Sequence, residues 1–264
     1  MPPVKKIAPV KLLLANLTTK SDKSSAIIVR IIRKWNVPMS RSVELLLQDD
    51  QGSTIQATIE EAHVPIFDDQ IEEGKIYAMV KFTIQSNVGT WRPSSHDCRL
   101  RFTATTKVKL HVKDNFDLSP FEFKSFKDIM NAPKAKTPDL FDVIGAFDPR
   151  VKPNHSPTVD GKTKWCNFNI RNLENLKIHC TLWDSYADAF LEYLKTPRSG
   201  AVVVLLQLCR LNARWGGVST SYHATKLLID ENIPEIKDFR ARFSSLNIHS
   251  IQYTNTGLSG GTSS

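Results

Sequence analysis

Several tryptophans in this sequence lie near arginine and lysine residues, a combination that can bind nucleic acid. Trp183 ends the predicted strand that contains Thr181 and Leu182. Its indole either packs into the core or stands open as a flat face. An open aromatic face contributes about 1–3 kcal/mol per stacked base, and neighbouring cations pair with phosphates. The candidate binding residues are Trp183, Trp215 and Trp91 for stacking, and Arg210, Arg214, Arg30, Arg33, Lys34 and Arg92 for phosphate pairing.

Residues that could perform catalysis or bind a metal are not arranged as those functions require. The stretch DGKT at 160–163 ends like a phosphate-binding loop, but Ser156 stands where that loop needs glycine, so a hairpin is expected instead. The histidines show neither HxH nor HExxH spacing, no GxSxG motif occurs, and the four cysteines form no CxxC pair. We therefore expect no catalytic residue, no metal and no cofactor, and a protein that is not an enzyme.

Short alternating runs of apolar and polar residues predict the elements that position these side chains. Five runs occur in the first half, at 25–35, 42–49, 53–60, 75–85 and 98–110. The turn DDQG at 49–52 joins the second and third runs, and a short helix fits between the third and fourth. Five strands with a helix in that place are typical of an OB-fold, a small Greek-key barrel.

The second half repeats the plan of the first. Three pairs of landmarks recur at an offset that is constant to within one residue: Thr58 and Thr181, Phe67 and Phe190, and Trp91 and Trp215. A period this long indicates a duplicated domain. We interpret the two phenylalanines as plugs of the barrels, and Trp35 and Trp165 as core or rim packing.

The predicted fold class is therefore mainly β, with two tandem OB-fold barrels and short helices. The first OB-fold domain is placed at 1–112, a linker with a short helix at 113–139, the second OB-fold domain at 140–243, and a flexible tail at 244–264. Ser119 and Glu122 have the spacing of a capping box that would begin the linker helix.

Composition limits the choice of partner. The formal net charge is +8 and the isoelectric point is near 9.3, values compatible with a polyanionic partner. No apolar run is long enough to span a bilayer, and the N-terminus lacks the pattern of a secretory signal, so an intracellular protein is expected. Scattered cysteines fit a reducing compartment.

Longer motifs resemble a known family. The strings FDVIG at 141–145, CTLWDSYADAF at 180–190, VVLLQLCRLNARWGGVSTS at 203–221 and ATKLLIDENIPEIKDF at 224–239 resemble the second OB domain of the replication protein A large subunit. The strings VRIIRKWNVP at 29–38, QDDQGSTIQATI at 48–59 and NVGTWRPSSHDCRLRF at 87–102 are similar to the first OB domain of its plant branch. The resemblance spans about residues 10–243.

This resemblance implies single-stranded DNA binding in replication, repair or recombination, in the nucleus, without a membrane or a small-molecule substrate. It places stacked bases on Trp183 and Trp215, and on Trp91 in the first domain. The first domain departs from the pattern at Glu60, where a carboxylate replaces the second aromatic face, unless His63 or Trp35 substitutes. The third, zinc-containing domain that assembles the family's heterotrimer is not matched, so assembly with the two smaller subunits is not implied.

Two alternatives stay open. Single-stranded RNA is the first, because the contact with the 2′-hydroxyl that separates RNA from DNA depends on a few side chains. A protein-interaction scaffold is the second, in which the aromatic side chains anchor a peptide of a replication or repair complex.

Overall fold

The computed structural model describes residues 11–22, 25–89, 91–112, 116–132, 139–196, 199–212 and 216–256. The side chains of these residues are described up to residue 246. The chain divides into two compact units. The first comprises 1–120 with 138–140, and the second comprises 121–137 with 141–264. Each unit is built around its own apolar core.

The first unit is a sheet of seven strands with the order β5-β6-β3-β2-β1-β4-β7. Its strands are β1 (Ala26–Val37), β2 (Ser42–Gln48), β3 (Thr54–Ile59), β4 (Ile76–Val80), β5 (Thr83–Ser86), β6 (Cys98–Arg101) and β7 (Lys107–Leu110). Because β4 and β5 follow each other closely, as do β6 and β7, the strands correspond to the five positions of an OB-fold. We call residues 26–110 the first barrel.

Alternating burial explains this barrel. Residues Ile55, Ala57 and Ile59 of β3 point into the core, so the residues between them occupy the outer face. The turn between β2 and β3 closes at Gly52, whose φ of +86° lies in the left-handed region. The expected turn at 49–52 is thus present. Helical turns at Glu61–His63, α1 (Val64–Phe67) and Asp68–Gln70 separate β3 from β4.

The second unit contains a ring of five principal strand positions. Its strands are β8 (Phe141–Phe147), β9 (Asn154–His155), β10 (Thr158–Val159), β11 (Lys162–Thr163), β12 (Trp165–Arg171), β13 (Lys177–Trp183), β14 (Val203–Asn212), β15 (Gly217–Ser219) and β16 (Lys226–Ile229). The order β13-β15-β14-β8-β12 closes because β12 also pairs with β13. We call residues 141–229 the second barrel. The pairing of β10 with β11 forms the hairpin expected around the DGKT stretch.

Helices complete the second unit: α2 (Phe126–Met130), α3 (Ser185–Leu194) between β13 and β14, and α4 (Pro234–Thr256). Phe190 of α3 is fully buried and stacks on Phe168 with 4.0 Å between ring centroids. Phe67 is 3% exposed in the first barrel. Both phenylalanines therefore belong to the cores, and the mainly β fold with two OB-fold barrels is confirmed.

Two details of the sequence expectations differ from the structure. The linker helix begins at Phe126, not after Ser119, because Ser125 caps it by accepting a hydrogen bond from the Asp128 amide. Helix α4 continues to Thr256, into the segment 244–264 for which composition predicts a tail. Among the helices of the described segments, none combines the length and apolar character needed to cross a membrane.

Candidate nucleic-acid interface

The outer face of β12 and β13 carries a row of side chains that the antiparallel register arranges in pairs. The pairs are Trp165 with Trp183, Asn167 with Thr181, Asn169 with His179, and Arg171 with Lys177. Residues directly opposite each other share a face. Tryptophans therefore occupy one end of the row and uncharged polar side chains its middle. We call this row the second-barrel face.

Trp183 stands open at the end of that face. Trp183 is 36% exposed, and its indole Nε1 donates a 2.9 Å hydrogen bond to Ser219 Oγ on β15. The backbone amide of Trp183 also donates to Thr220 Oγ1 at 3.2 Å. The indole is therefore held in orientation from one edge rather than enclosed in the core, as a stacking platform requires.

The close approach of β15 to β13 makes this arrangement possible. These strands run parallel, and Gly217 pairs with His179. A Cβ atom at position 217 would lie 1.9 Å from the carbonyl oxygen of His179, so only glycine fits. Ser219 is thereby brought beside Trp183.

A β-bulge in β14 determines where Arg210 points. Val204 and Leu206 face the core, and after the bulge Cys209 faces it. Leu208 at the bulge has φ +54°. The alternation therefore shifts by one residue, and Arg210 reaches the outer face opposite Ser219.

Buried polar groups hold this bulge on both sides. The Leu208 amide donates to Asp142 Oδ1 at 2.7 Å, and its carbonyl accepts from Thr225 Oγ1 at 2.8 Å. Asp142 is 3% exposed, and burial raises the pKa of its carboxyl to about 7 although the Leu208 and Glu122 amides donate to it.

A pocket of about 340 Å³ lies beside Trp183. Tyr222, 74% exposed, contributes a second aromatic ring, and the Arg210 guanidinium carbon lies 5.9 Å from the centroid of that ring. The lining residues are Trp183, Asp184, Ser185, Tyr186, Arg210, Thr220, Tyr222 and His223. Flat faces, a cation and hydrogen-bonding groups thus converge at one place.

The opposite end of the second-barrel face is partly neutralised. Asp148, whose side chain is fully buried, lies 3.1 Å from Lys177 Nζ and 3.9 Å from Arg171 Nε. Arg150 Nε donates to Asp148 at 2.7 Å, and this hydrogen bond, followed by that of Lys177, holds the pKa of Asp148 well below its usual range. Positive charge at this end is therefore committed to the fold.

The remaining predicted stacking residues are placed differently. Trp91 is half-buried in the loop between β5 and β6. Trp215 and Arg214 lie outside the described residues. The structure thus brings together Trp183 and Arg210 from the predicted set, and their role in binding stays a prediction.

The four cations predicted in the first barrel all form intramolecular bonds. Arg30 donates to Gln48 and to the carbonyls of Phe116 and Leu118. Arg33 pairs with Glu73, Lys34 Nζ lies 2.7 Å from Asp68, and Arg92 Nη2 lies 2.9 Å from Asp139. Partial burial favours these pairings over full hydration. A phosphate would have to compete with these contacts, and the role of the four side chains in binding stays a prediction.

The outer face of the first barrel carries ion pairs where the second carries tryptophans. Glu44 of β2 is 7% exposed and accepts hydrogen bonds from Gln56 Nε2 at 2.8 Å and Thr58 Oγ1 at 2.9 Å. Arg99 Nη2 lies 3.3 Å from the same carboxylate. Burial raises the pKa of Glu44. This network lies on the outer face of β2, β3 and β6.

Glu60 is not an uncompensated charge. Its carboxylate pairs with Arg101 of β6, so the expected repulsion of phosphate by Glu60 is reduced. Trp35 is half-buried and pairs with Glu44 across β1 and β2, on the outer face. The first barrel therefore has an aromatic residue near its acidic network, although not at the strand end.

Sequence reasoning missed Tyr222, Asp184 and the position of Trp165 opposite Trp183. The polar residues that alternate with apolar ones in WCNFNIR at 165–171 were a signal for the outward orientation of Trp165. Tyr222 lies in a turn, where periodicity gives no orientation. Its tertiary neighbour Arg210 is twelve positions away and reaches it only through the bulge in β14.

No cluster of three potential metal ligands occurs within the parts of the chain that the structure describes. The four cysteines are buried and unpaired as disulfides. Burial raises the pKa of the Cys166 thiol to about 11 and also raises the pKa values of Cys180 and Cys209. The thiols of Cys166, Cys180 and Cys209 are therefore protonated near neutral pH and serve as core side chains.

Comparison with known proteins gives one family model and several relatives. The model "Domain of unknown function DUF223" matches residues 22–132, which include the first barrel. One relative is a 70 kDa DNA-binding subunit of replication protein A from Oryza sativa subsp. japonica. It is 22% identical over 235 residues, which make up 86% of this chain and 23% of the rice protein. The chain thus spans about a quarter of the length of that relative.

A solved structure has the same architecture. It is a replication protein A heterotrimer bound to ssDNA, and one of its chains superposes with a TM-score of 0.55 at 18% identity, over 89% of this chain and 55% of that chain. At this identity the superposition establishes the fold. The chain is thus similar to the DUF223 model over its first barrel, to the rice subunit over most of its own length, and to the solved chain in fold.

Proposed function

We propose that this chain binds single-stranded nucleic acid, DNA in the first place, through the second-barrel face, and that it does so without catalysis. The observation that carries the proposal is the open indole of Trp183, held in orientation by Ser219 at 2.9 Å. A core tryptophan would be enclosed, whereas this one ends a polar face that has room for a base.

The chemistry of the face suits a sequence-tolerant binder. One or more bases stack on Trp183, with Trp165 opposite it. Asn167, Thr181 and Asn169 offer uncharged donors and acceptors to whichever base edges pass over them. Arg210 supplies the positive charge for a phosphate. Trp215 and Arg214 stay in the proposed binding set as predictions from the sequence.

The family supports this proposal and its setting. The rice relative is named a DNA-binding subunit, and the superposed heterotrimer is bound to ssDNA. We therefore place the chain in the nucleus, in replication, repair or recombination. Because the chain covers only part of both relatives, protein partners of such a complex are part of the proposal and not a finding.

The first barrel has a secondary role in this proposal. Its predicted cations are engaged within the fold, and Arg101 neutralises Glu60. Trp91, and Trp35 beside Glu44, are its aromatic candidates. We expect it to bind a strand more weakly than the second barrel does.

Fluorescence titration with dT12 and rU12 tests the proposal. Stacking on Trp183 should quench tryptophan emission and saturate, and an unlabelled oligonucleotide should lower the anisotropy of a bound, labelled dT12. A chain that leaves emission and the anisotropy of a labelled dT12 unchanged at high micromolar concentration does not bind single strands. That outcome would favour the protein-interaction scaffold. Equal affinity for dT12 and rU12 would show that the face does not select the sugar.

A further inference from the structure

We infer that the pocket beside Trp183 accepts one unstacked nucleobase and selects guanine. The inference rests on the proposed function, since it assigns a base preference to the same surface. The pocket, at about 340 Å³, has the size of a small-molecule site, for which the usual range is about 300–1,000 Å³.

Two aromatic rings line this pocket. Trp183 is fixed through Ser219, and Tyr222 exposes 74% of its surface. Arg210 contacts the Tyr222 ring from 5.9 Å, a cation–π distance that favours one position of the ring. Both residues line the pocket, so a base that enters it can stack on Trp183 or on Tyr222, the latter beyond the stacking residues that the sequence predicted.

Asp184 supplies the group that can distinguish bases. It precedes α3 at the position where a carboxylate usually caps the helix, but its side chain makes no capping hydrogen bond. Within the described part of the chain this carboxylate forms no ion pair either. Its φ of +49° is unusual for a residue other than glycine. Asp184 lines the pocket, and among the described residues its carboxylate accepts no hydrogen bond from a protein donor.

Acceptor-only chemistry favours one base. An ionised carboxylate has two oxygens that accept hydrogen bonds and no donor. The Watson–Crick edge of guanine presents two adjacent donors, the ring N1–H and the exocyclic N2 amine. Thymine and uracil present a single N–H between two carbonyl oxygens, which the carboxylate repels. Adenine and cytosine present one amine next to a ring acceptor. Guanine alone satisfies both oxygens.

The experiment compares three oligonucleotides that form no Watson–Crick pairs with themselves: dT12, alternating d(TG)6, and alternating d(TI)6. Inosine retains the N1–H of guanine but lacks its N2 amine. We expect d(TG)6 to bind at least about fivefold more tightly than dT12, since one bidentate contact commonly discriminates by that factor or more. The affinity of d(TI)6 should lie between the two.

Asp184→Asn should abolish most of this preference, because an amide offers one acceptor oxygen where the carboxylate offers two. Asparagine also tolerates positive φ. Asp160→Asn is the matched control, since Asp160 has φ +50° in the same barrel but does not line the pocket. Tyr222→Ala should weaken binding of all three oligonucleotides, and Tyr222→Phe should not.

The outcomes separate this inference from the function it rests on. If no oligonucleotide binds, the proposed function fails and the base preference fails with it. If dT12 binds and d(TG)6 binds equally well, or if Asp184→Asn retains the preference for d(TG)6, then the pocket does not read guanine and only the proposed function stands.

Discussion

Replacing Trp183 with alanine should weaken dT12 binding by roughly 5- to 150-fold, the equivalent of about 1–3 kcal/mol for one stacked base. The indole is 36% exposed, so its loss removes a binding face and little of the core. The cost in stability comes from the buried part of the ring and from the hydrogen bond to Ser219, which is typically about 0.5–1.5 kcal/mol.

A core substitution provides the contrast. Phe190 is fully buried and stacks on Phe168, so Phe190→Ala should cost about 3–5 kcal/mol of unfolding free energy. Thermal unfolding of this variant should shift by many degrees. The unfolding temperature of Trp183→Ala should fall much less, whereas its affinity should fall far more than can be explained by a small unfolded fraction.

Two further variants separate the ring from its hydrogen bond. Trp183→Phe keeps a smaller aromatic face but cannot donate to Ser219, so it should retain part of the affinity. Ser219→Ala keeps the indole and removes its acceptor, so binding should weaken through loss of orientation. The affinity order should be parent, then these two variants, then Trp183→Ala.

The assay is anisotropy of a labelled dT12, with circular dichroism melting of each variant beforehand. The reasoning is refuted if Trp183→Ala binds dT12 as tightly as the parent. It is equally refuted if Trp183→Ala unfolds like Phe190→Ala, because the indole would then be a core side chain.

Three other predictions follow from the described contacts. Glu60→Phe should strengthen dT12 binding, because it adds an aromatic face and releases Arg101. Glu60→Gln should reproduce only the effect of the removed charge. A titration in which neither variant differs from the parent in affinity would contradict this prediction. The pKa of Asp142 is raised from 3.8 to about 7 in the fold, so the stability that its protonated form contributes is greatest below pH 3.8 and falls by up to roughly 4 kcal/mol as the pH rises through about 7. Denaturant melts of Asp142→Asn should therefore show a flatter dependence of the unfolding free energy on pH over that window. An unchanged dependence would exclude Asp142 as its source. With the first-barrel cations engaged and two arginines of the second barrel on phosphates, log K should fall with log salt at a slope of about −1.4; a slope of −3 or steeper would mean that the engaged cations are released on binding.

Local patterns in the sequence predicted the barrels well. Alternation at two-residue spacing fixes which side chains of β3 and β13 face the core, and the duplicated landmarks follow from two copies of one fold. For Trp183 the sequence left two orientations open, and the structure gives the residue an exposure of 36%. These are properties of neighbours along the chain, and a single sequence contains them.

The pairing partners of the charged side chains could not be predicted in the same way. Arg33 and Glu73 are forty positions apart, and Glu60 and Arg101 are forty-one apart, so only the tertiary fold brings each pair together. A cation in a strand therefore looks the same in the sequence whether it faces a phosphate or a carboxylate of its own chain. The linker helix was misplaced for a related reason, because Ser119 and Ser125 both offer a capping hydroxyl.

The bulge at Leu208 gives a core residue influence over recognition. The bulge shifts the alternation of inward and outward side chains in β14 by one residue. Without it, the side chain at 210 would point into the core and a leucine would take its place on the surface. The bulge is held by the carboxylate of Asp142, which lies 66 positions earlier in the chain. A screen for variants that fold but no longer bind would therefore recover substitutions at Asp142, at a position with no access to the ligand. The affinity of the surface residues for a ligand therefore depends partly on a residue in the interior of the barrel.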